Sequence, residues 1–141
     1  MTLYIDTSVL VTTFTNEAAT ERCQTWLTTR DPDTLAISDW VVTEFSAALS
    51  VKLRTGAISI AERAEALAAF GTMAARSVRV LAVESRHFNL AARLAIQYAL
   101  GLRAGDALHV AIALDQGASL HTLDRRLADA AGALGVRSVV I

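Results

Sequence analysis

One cysteine, one proline and one lysine occur among the 141 residues, and each shortage removes a class of protein. The lone Cys23 excludes an internal disulfide and a cysteine-based zinc centre, and it fits a reducing, cytoplasmic setting. Free cysteine is among the most buried residue types, so Cys23 is expected in the core. The single proline, Pro32 in "RDPDT", and the absence of any Gly/Ser-rich tract leave no linker, low-complexity segment or internal repeat. With Lys52 as the only lysine there is no G-x-x-x-x-G-K-[ST] loop. G-x-G-x-x-G is missing too, so nucleotide binding of those kinds is unsupported. No apolar run reaches the roughly 18–20 residues of a membrane span, and no basic segment precedes an apolar one as in a secretory leader. Charge of one sign is also scarce. The formal net charge is −1, which permits a polyanionic partner without requiring one.

Apolar residues are abundant, at 53% of the chain against 19% charged. That balance predicts a packed core and not a disordered chain, and the length suits one domain over residues 1–141. Short β-branched or aromatic runs ("TLYI", "TLAIS", "VRVLAV", "ASLHTL" and "VRSVVI") read as buried strands. Helical segments separate them: "DTSVLVTTF", "NEAATERCQTWLTTR", "DWVVTEFSAALSVKLRTG", "SIAERAEALAAFGTMAARS", "ESRHFNLAARLAIQYALG", "AGDALHVAIALDQG" and "DRRLADAAGALG". Caps are legible at Asp6 or Thr7, at Ser38 or Asp39, and at the Ser59/Glu62 capping-box pair, with Gly56 and Gly101 as stops. Strands separated by helices imply an α/β fold: a parallel sheet of about five strands, right-handed crossovers and helices on both faces. Ligands of such sheets bind beyond the carboxyl ends of the strands, where strand order reverses.

Four acids stand in apolar surroundings. Asp6 and Asp124 follow strands, Glu44 lies inside "WVVTEFSAAL", and Asp106 opens "DALHVAIAL". Taken singly, Asp6 and Asp124 can be helix caps, Asp106 can favour its helix dipole, and Glu44 can pair with an arginine. Taken together, all four point to one sheet edge, where their mutual repulsion calls for a cation or for raised pKa values. Oxygen-only donor sets suit Mg²⁺ or Mn²⁺, ions that activate water and stabilise the leaving oxygen of a phosphodiester. Thr7, Ser8, Ser38 and Thr122 flank the acids and can orient them or act as caps. Arg103, Arg125 and Arg126 flank Asp106 and Asp124 and are candidate phosphate contacts. His109, three residues after Asp106, and His121, beside Thr122, read chiefly as packed histidines. Trp26 and Trp40 read as core or interface. An aspartyl phosphatase would want a second Asp where Ser8 stands, and a receiver domain a lysine on a late strand, where there is none.

"YIDTSVL", "ISDWVVTEFSAAL", "GLRAGDALHVAIAL" and "HTLDRRL" resemble, in order, the four acidic motifs of the PIN domain, over Leu3 to Ile141. Within that family the single-domain length is most similar to VapC-type toxins of bacterial toxin–antitoxin pairs. The resemblance implies a flavodoxin-like three-layer sandwich of strand order 3-2-1-4-5. It also implies a Mg²⁺-dependent endoribonuclease, with Mn²⁺ able to substitute, whose metal ligands and catalytic acids fall on Asp6, Glu44, Asp106 and Asp124. Ser8 and Thr122 match the family's frequent hydroxyl companions. Implied partners are an RNA substrate, a small cognate antitoxin and a second copy of the chain. An antitoxin arginine would plug the acidic pocket while an apolar helix lies against Trp40, Phe45 or Leu49. The helix after Gly56 and the first crossover helices are the expected dimer face. The competing reading is a PIN fold that binds RNA or protein without cutting.

Overall fold

The computed structural model describes all of residues 1–141. The chain alternates as the apolar pattern predicts: β1 (Leu3–Ile5), α1 (Thr7–Phe14), α2 (Thr20–Thr28), β2 (Leu35–Ser38), α3 (Asp39–Arg54), α4 (Ile60–Arg76), β3 (Arg79–Leu81), α5 (Ser85–Ala95), α6 (Ala104–Asp115), β4 (Ser119–Thr122), α7 (Arg125–Ala133) and β5 (Ser138–Val140). Single 3₁₀ turns at Pro32–Thr34 and Tyr98–Leu100 complete it.

All strand pairs are parallel, in the order β3-β2-β1-β4-β5. The expected topology is therefore present, with β1 central. Leu3 pairs with Leu35 on one side and Ser119 on the other, and Ile5 pairs with His121. The three inner strands carry almost wholly buried side chains, while β3 and β5 are partly exposed. The chain runs outward from β1 through β2 to β3 and then restarts at β4 on the other side of β1. The order thus reverses between β1 and β4, and the two strands end side by side; Asp6 N–H donates to His121 O at 3.1 Å.

The helical layers are tied by aromatic packing. Phe45 of α3 stacks on Phe70 of α4 with centroids 4.0 Å apart, and Phe14 of α1 meets both edge-on. Helix α6 is buried from Ala107 to Ala113, as an all-round apolar helix must be. Cys23 is fully buried. No helix is long and apolar enough to cross a membrane.

Local signals resolve the open choices of cap. Asp6 caps α1 through Val9 N–H, Ser38 caps α3 through Val41 N–H, and Ser59 with Glu62 forms the capping box of α4. Two boundaries differ from expectation. Helix α2 begins at Thr20 and not at Asn16, because the Thr20 hydroxyl takes Glu17 N–H at 2.8 Å and binds two carbonyls at the end of α1. Helix α5 stops at Ala95, although "IQYALG" continues its apolar pattern. At Gln97 (φ −73°, ψ 74°) the backbone makes an inverse γ-turn, with Tyr98 N–H on Ile96 O at 2.8 Å. Gly101 then takes φ +63°, a conformation glycine reaches without penalty. No proline or polar cluster announces that break. Its effect is to throw Ile96 and Tyr98 into solvent and to aim Arg103 at the sheet edge.

Candidate active site

Asp6 follows the central strand and is 4% exposed. Burial on this scale demands donors, and they are present. Ser8 Oγ donates to Oδ1 and Thr122 Oγ1 to Oδ2, both at 2.6 Å. Each hydroxyl in turn accepts a backbone N–H: Ser8 from Leu123 at 3.0 Å and Thr122 from Asp124 at 2.9 Å. The amides occupy the hydroxyl lone pairs and so direct the hydroxyl protons at the carboxylate. Even so, burial raises the Asp6 pKa above its ordinary value, against the lowering charge of His109 and the bonds from Ser8, Thr122 and Val9. An ionised Asp6 is a charge short of compensation.

Glu44 is half-buried a turn and a half into α3. Thr7 Oγ1 and His109 Nε2 both donate to its Oε2, the histidine at 2.6 Å. His109 Nδ1 lies 2.9 Å from Tyr4 Oη, which lies 2.8 Å from Ser38 Oγ. With Glu44 ionised, Nε2 donates to it, and Tyr4 and Ser38 extend the contact into one hydrogen-bonded chain, Ser38–Tyr4–His109–Glu44. Burial alone would raise the Glu44 pKa; the bond from His109, its charge and the bond from Thr7 outweigh it and leave a net lowering. Trp40, its Nε1 buried and without another partner, lowers it further. Burial also holds the Tyr4 phenol far above its usual pKa, so it stays protonated.

Asp106, in the first turn of α6, receives no hydrogen bond from the rest of the chain. Asp124 uses Oδ1 to cap α7, taking Arg126 N–H at 2.9 Å and Leu127 N–H at 3.3 Å. Its other oxygen is free. Asp6, Glu44, Asp106 and Asp124 all line one open cavity of about 390 Å³, with Thr7, Ser8 and His109. The four acids are therefore brought to one place, and so are Thr7 and Ser8. Thr122 stands beneath Asp6. Ser38 lies deeper, as cap of α3 and anchor of Tyr4. Arg103 lines an adjoining cavity together with Arg126, while Arg125 lines neither.

The acids line a wall and do not close into a three-ligand cage. The donor set nevertheless fits a hard cation, because Mg²⁺ keeps several waters and takes only one or two carboxylates directly. Lone pairs for it remain on both oxygens of Asp106, on Asp124 Oδ2, on Glu44 Oε1 and on Asp6 Oδ2, which takes a single hydroxyl bond. Three contributors lay outside the sequence-predicted site. Tyr4 read as a strand residue, and His109, 105 positions away, read chiefly as a packed histidine, with a role near the metal as its lesser reading. Gly105 read as a plain helix residue, yet a Cβ there would lie 2.9 Å from Glu44 Oε1. A glycine in the first turn of a helix is the signal that marks it. His121 stands apart from the cavity, bonded to Ser119 Oγ at 2.9 Å and packed on Trp26 at 4.9 Å between centroids.

The family model of the PIN domain matches residues 3–133. The chain belongs to the PIN-domain family. Among solved structures, PIN relatives superpose over nearly the whole chain at low identity. VapC20 of Mycobacterium tuberculosis, described as a sarcin-ricin loop cleaving toxin, gives TM-score 0.76 at 17% identity, covering 99% of this chain and 100% of that one. VapBC2 of Rickettsia felis, bound to a promoter DNA fragment, gives 0.68 at 13%, covering 100% and 99%. The VapBC-5 toxin–antitoxin structure of M. tuberculosis gives 0.64 at 23%, covering 100% of each chain. At these identities the likeness establishes the PIN fold. No curated protein matches the sequence significantly.

Proposed function

We propose that this PIN domain is a Mg²⁺-dependent endoribonuclease, with Mn²⁺ as a substitute, and that it acts in the cytoplasm as the toxin of a toxin–antitoxin pair. The observation that carries the reading is the convergence of Asp6, Glu44, Asp106 and Asp124 on one cavity at the switch point of the sheet. Likeness in fold to VapC toxins and VapBC complexes supports the toxin assignment.

When bound, the ion supplies Lewis acidity at the phosphate and a lowered pKa for water. Asp6, Glu44, Asp106 and Asp124 would hold it through the oxygen lone pairs that the chain leaves free. Asp6, clamped by Ser8 and Thr122, supplies fixed negative charge beneath, and a cation relieves the cost of its burial. His109 and Thr7 keep Glu44 ionised and pointed outward. The open cleft admits an unstacked single strand more easily than a duplex.

An antitoxin arginine suits the same pocket, because a guanidinium forms bidentate bonds to paired carboxylates. The apolar seat for its helix is not Phe45 or Leu49, which are fully buried. Trp40, half-buried, is the accessible one of the three. A homodimer remains part of the proposal, with a shifted face. Helix α4 exposes only Ile60 among large apolar residues, whereas Phe88, Ile96 and Tyr98 are 54%, 77% and 92% exposed on α5 and the turn after it.

The deciding experiment is cleavage of a labelled single-stranded RNA with Mg²⁺, Mn²⁺ or EDTA. Metal-stimulated cleavage that Asp6→Asn abolishes without loss of fold is expected. Undiminished cleavage by Asp6→Asn in EDTA would overturn the reading.

A further inference from the structure

We propose that Arg103 and Arg126 form an oxyanion niche beside the acids, which grips the phosphate next to the one cleaved and sets how RNA lies in the site. The proposal rests on the ribonuclease reading and extends it to residues outside the carboxylate set.

The niche is a cavity of about 160 Å³ between the turn at Gly101 and the start of α7, lined on its polar side by Arg103, Asp106, Asp124 and Arg126. Asp106 and Asp124 are shared with the acidic cavity, so the two spaces meet at a common wall. On one side of that wall stand the other two acids, and on the other two arginines share the lining with the same two carboxylates. This is the pattern a phosphodiester requires when one phosphate meets a metal and its neighbour does not.

Both arginines are free to serve. Every ion pair in the chain uses other cations, namely Lys52, Arg86, His87 and His109. Neither Arg103 nor Arg126 approaches Asp106 or Asp124 to pairing distance, although they share a cavity only eight residues in circumference. Gly101 helps: with no side chain there, Arg126 Nη2 sits against the turn, 3.8 Å from where a Cβ would be.

Helix physics explains neither residue. Arg103 occupies the N-cap of α6 and makes no capping bond, at a position where Ser, Thr, Asp or Asn would stabilise the helix. Arg126 sits in the first turn of α7, which holds no acid, where a cation opposes the helix dipole. At one cavity two helices thus begin with an arginine against the local preferences of a helix N-terminus. Such departures gather where function, and not stability, selects the residue.

The test is binding of a 5′-labelled single-stranded RNA in EDTA, read by fluorescence anisotropy across a salt series. Arg103→Gln and Arg126→Gln should each raise Kd roughly fivefold to tenfold and flatten the slope of log K against log salt by about 0.7. Arg126→Lys should keep the slope and lose part of the affinity, because charge survives and the planar fork does not. Arg76→Gln, exposed on the far end of α4, should change nothing. Circular dichroism verifies that each variant is folded. Wild-type slopes in both glutamine variants, or a wild-type protein that binds no RNA, would overturn the niche. A protein that binds through these arginines yet never cleaves with metal would defeat the nuclease reading and leave the niche standing. Cleavage with unaltered salt slopes would do the reverse.

Discussion

The two walls of the candidate site are built on opposite principles. The wall of Asp6 and half-buried Glu44 is densely bonded: six side chains (Thr7, Ser8, Tyr4, Ser38, His109 and Thr122) are committed, directly or through one another, to hydrogen bonds with two carboxylates. The wall of Asp106 and Asp124 is open, its carboxylates nearly free of protein donors and its arginines unpaired. A group locked by its neighbours cannot move to suit a ligand, and a group without neighbours cannot be positioned before one arrives. The difference assigns the first wall to preorganisation and the second to capture.

The sharpest way to test that division is to remove one charge from each wall. Asp6→Asn and Asp106→Asn should both cut metal-stimulated cleavage by at least about 100-fold. They should part in stability. Burial raises the Asp6 pKa, so its ionised form costs folding free energy, a cost that shrinks as pH falls through the raised pKa and is gone below the ordinary carboxylate value. Melting in EDTA at neutral pH should therefore shift for Asp6→Asn, which removes that buried charge but replaces an acceptor of two hydroxyl bonds, and stay put for Asp106→Asn. Equal melting shifts would erase the distinction between the walls.

Gly105→Ala tests the seam between them. The added methyl meets Glu44 Oε1 at 2.9 Å, so activity should fall about 10- to 100-fold through displacement of a held carboxylate. Stability should change little, since alanine is the better helix former by about 1 kcal/mol. Tyr4→Phe loosens the densely bonded wall from below. It strands His109 Nδ1 in the core and leaves Ser38 Oγ only its bond from Val41 N–H, at a cost of about 1–3 kcal/mol in urea unfolding and about tenfold in turnover. The smallest effect belongs outside both walls. Burial, with Arg30 and Arg137 nearby, lowers the His121 pKa from 6.5 to about 4. Between those values the unfolded chain takes up a proton that the folded chain refuses, so stability is complete above pH 6.5 and declines towards pH 4. After allowance for solvent screening, about 1 kcal/mol is lost at pH 5. His121→Leu should flatten that acid limb and leave cleavage unchanged.

The same contrast marks how far sequence reading reached. The parallel sheet and the four acids were legible because strands and carboxylates announce themselves locally, whereas the strand order came only with the resemblance to the PIN domain: an Asp after "LYI" or "LHTL" has few places to go in a parallel sheet. The support of Glu44 was not, since Tyr4 and His109 look like any packed aromatic until the fold sets them against each other. Arg125 and Arg126 are indistinguishable in sequence, and the rotation of the first turn of α7 alone decides which one faces the cavity. The end of α5 was missed because the γ-turn at Gln97 carries no proline or glycine of its own.

One last consequence concerns time, and it comes from the central strand. β1 pairs with β4 between residues 3 and 121, and Asp6 takes a hydroxyl from Thr122, 116 positions later. A contact of that span closes late, because its loop entropy is lost before any pairing is gained. While a ribosome is still making the middle of the chain, neither Asp106 nor Asp124 exists and Asp6 has no clamp. The sheet is wired so that Asp6 is completed only once Thr122 has been made, and a chain still being synthesised has no assembled acid site.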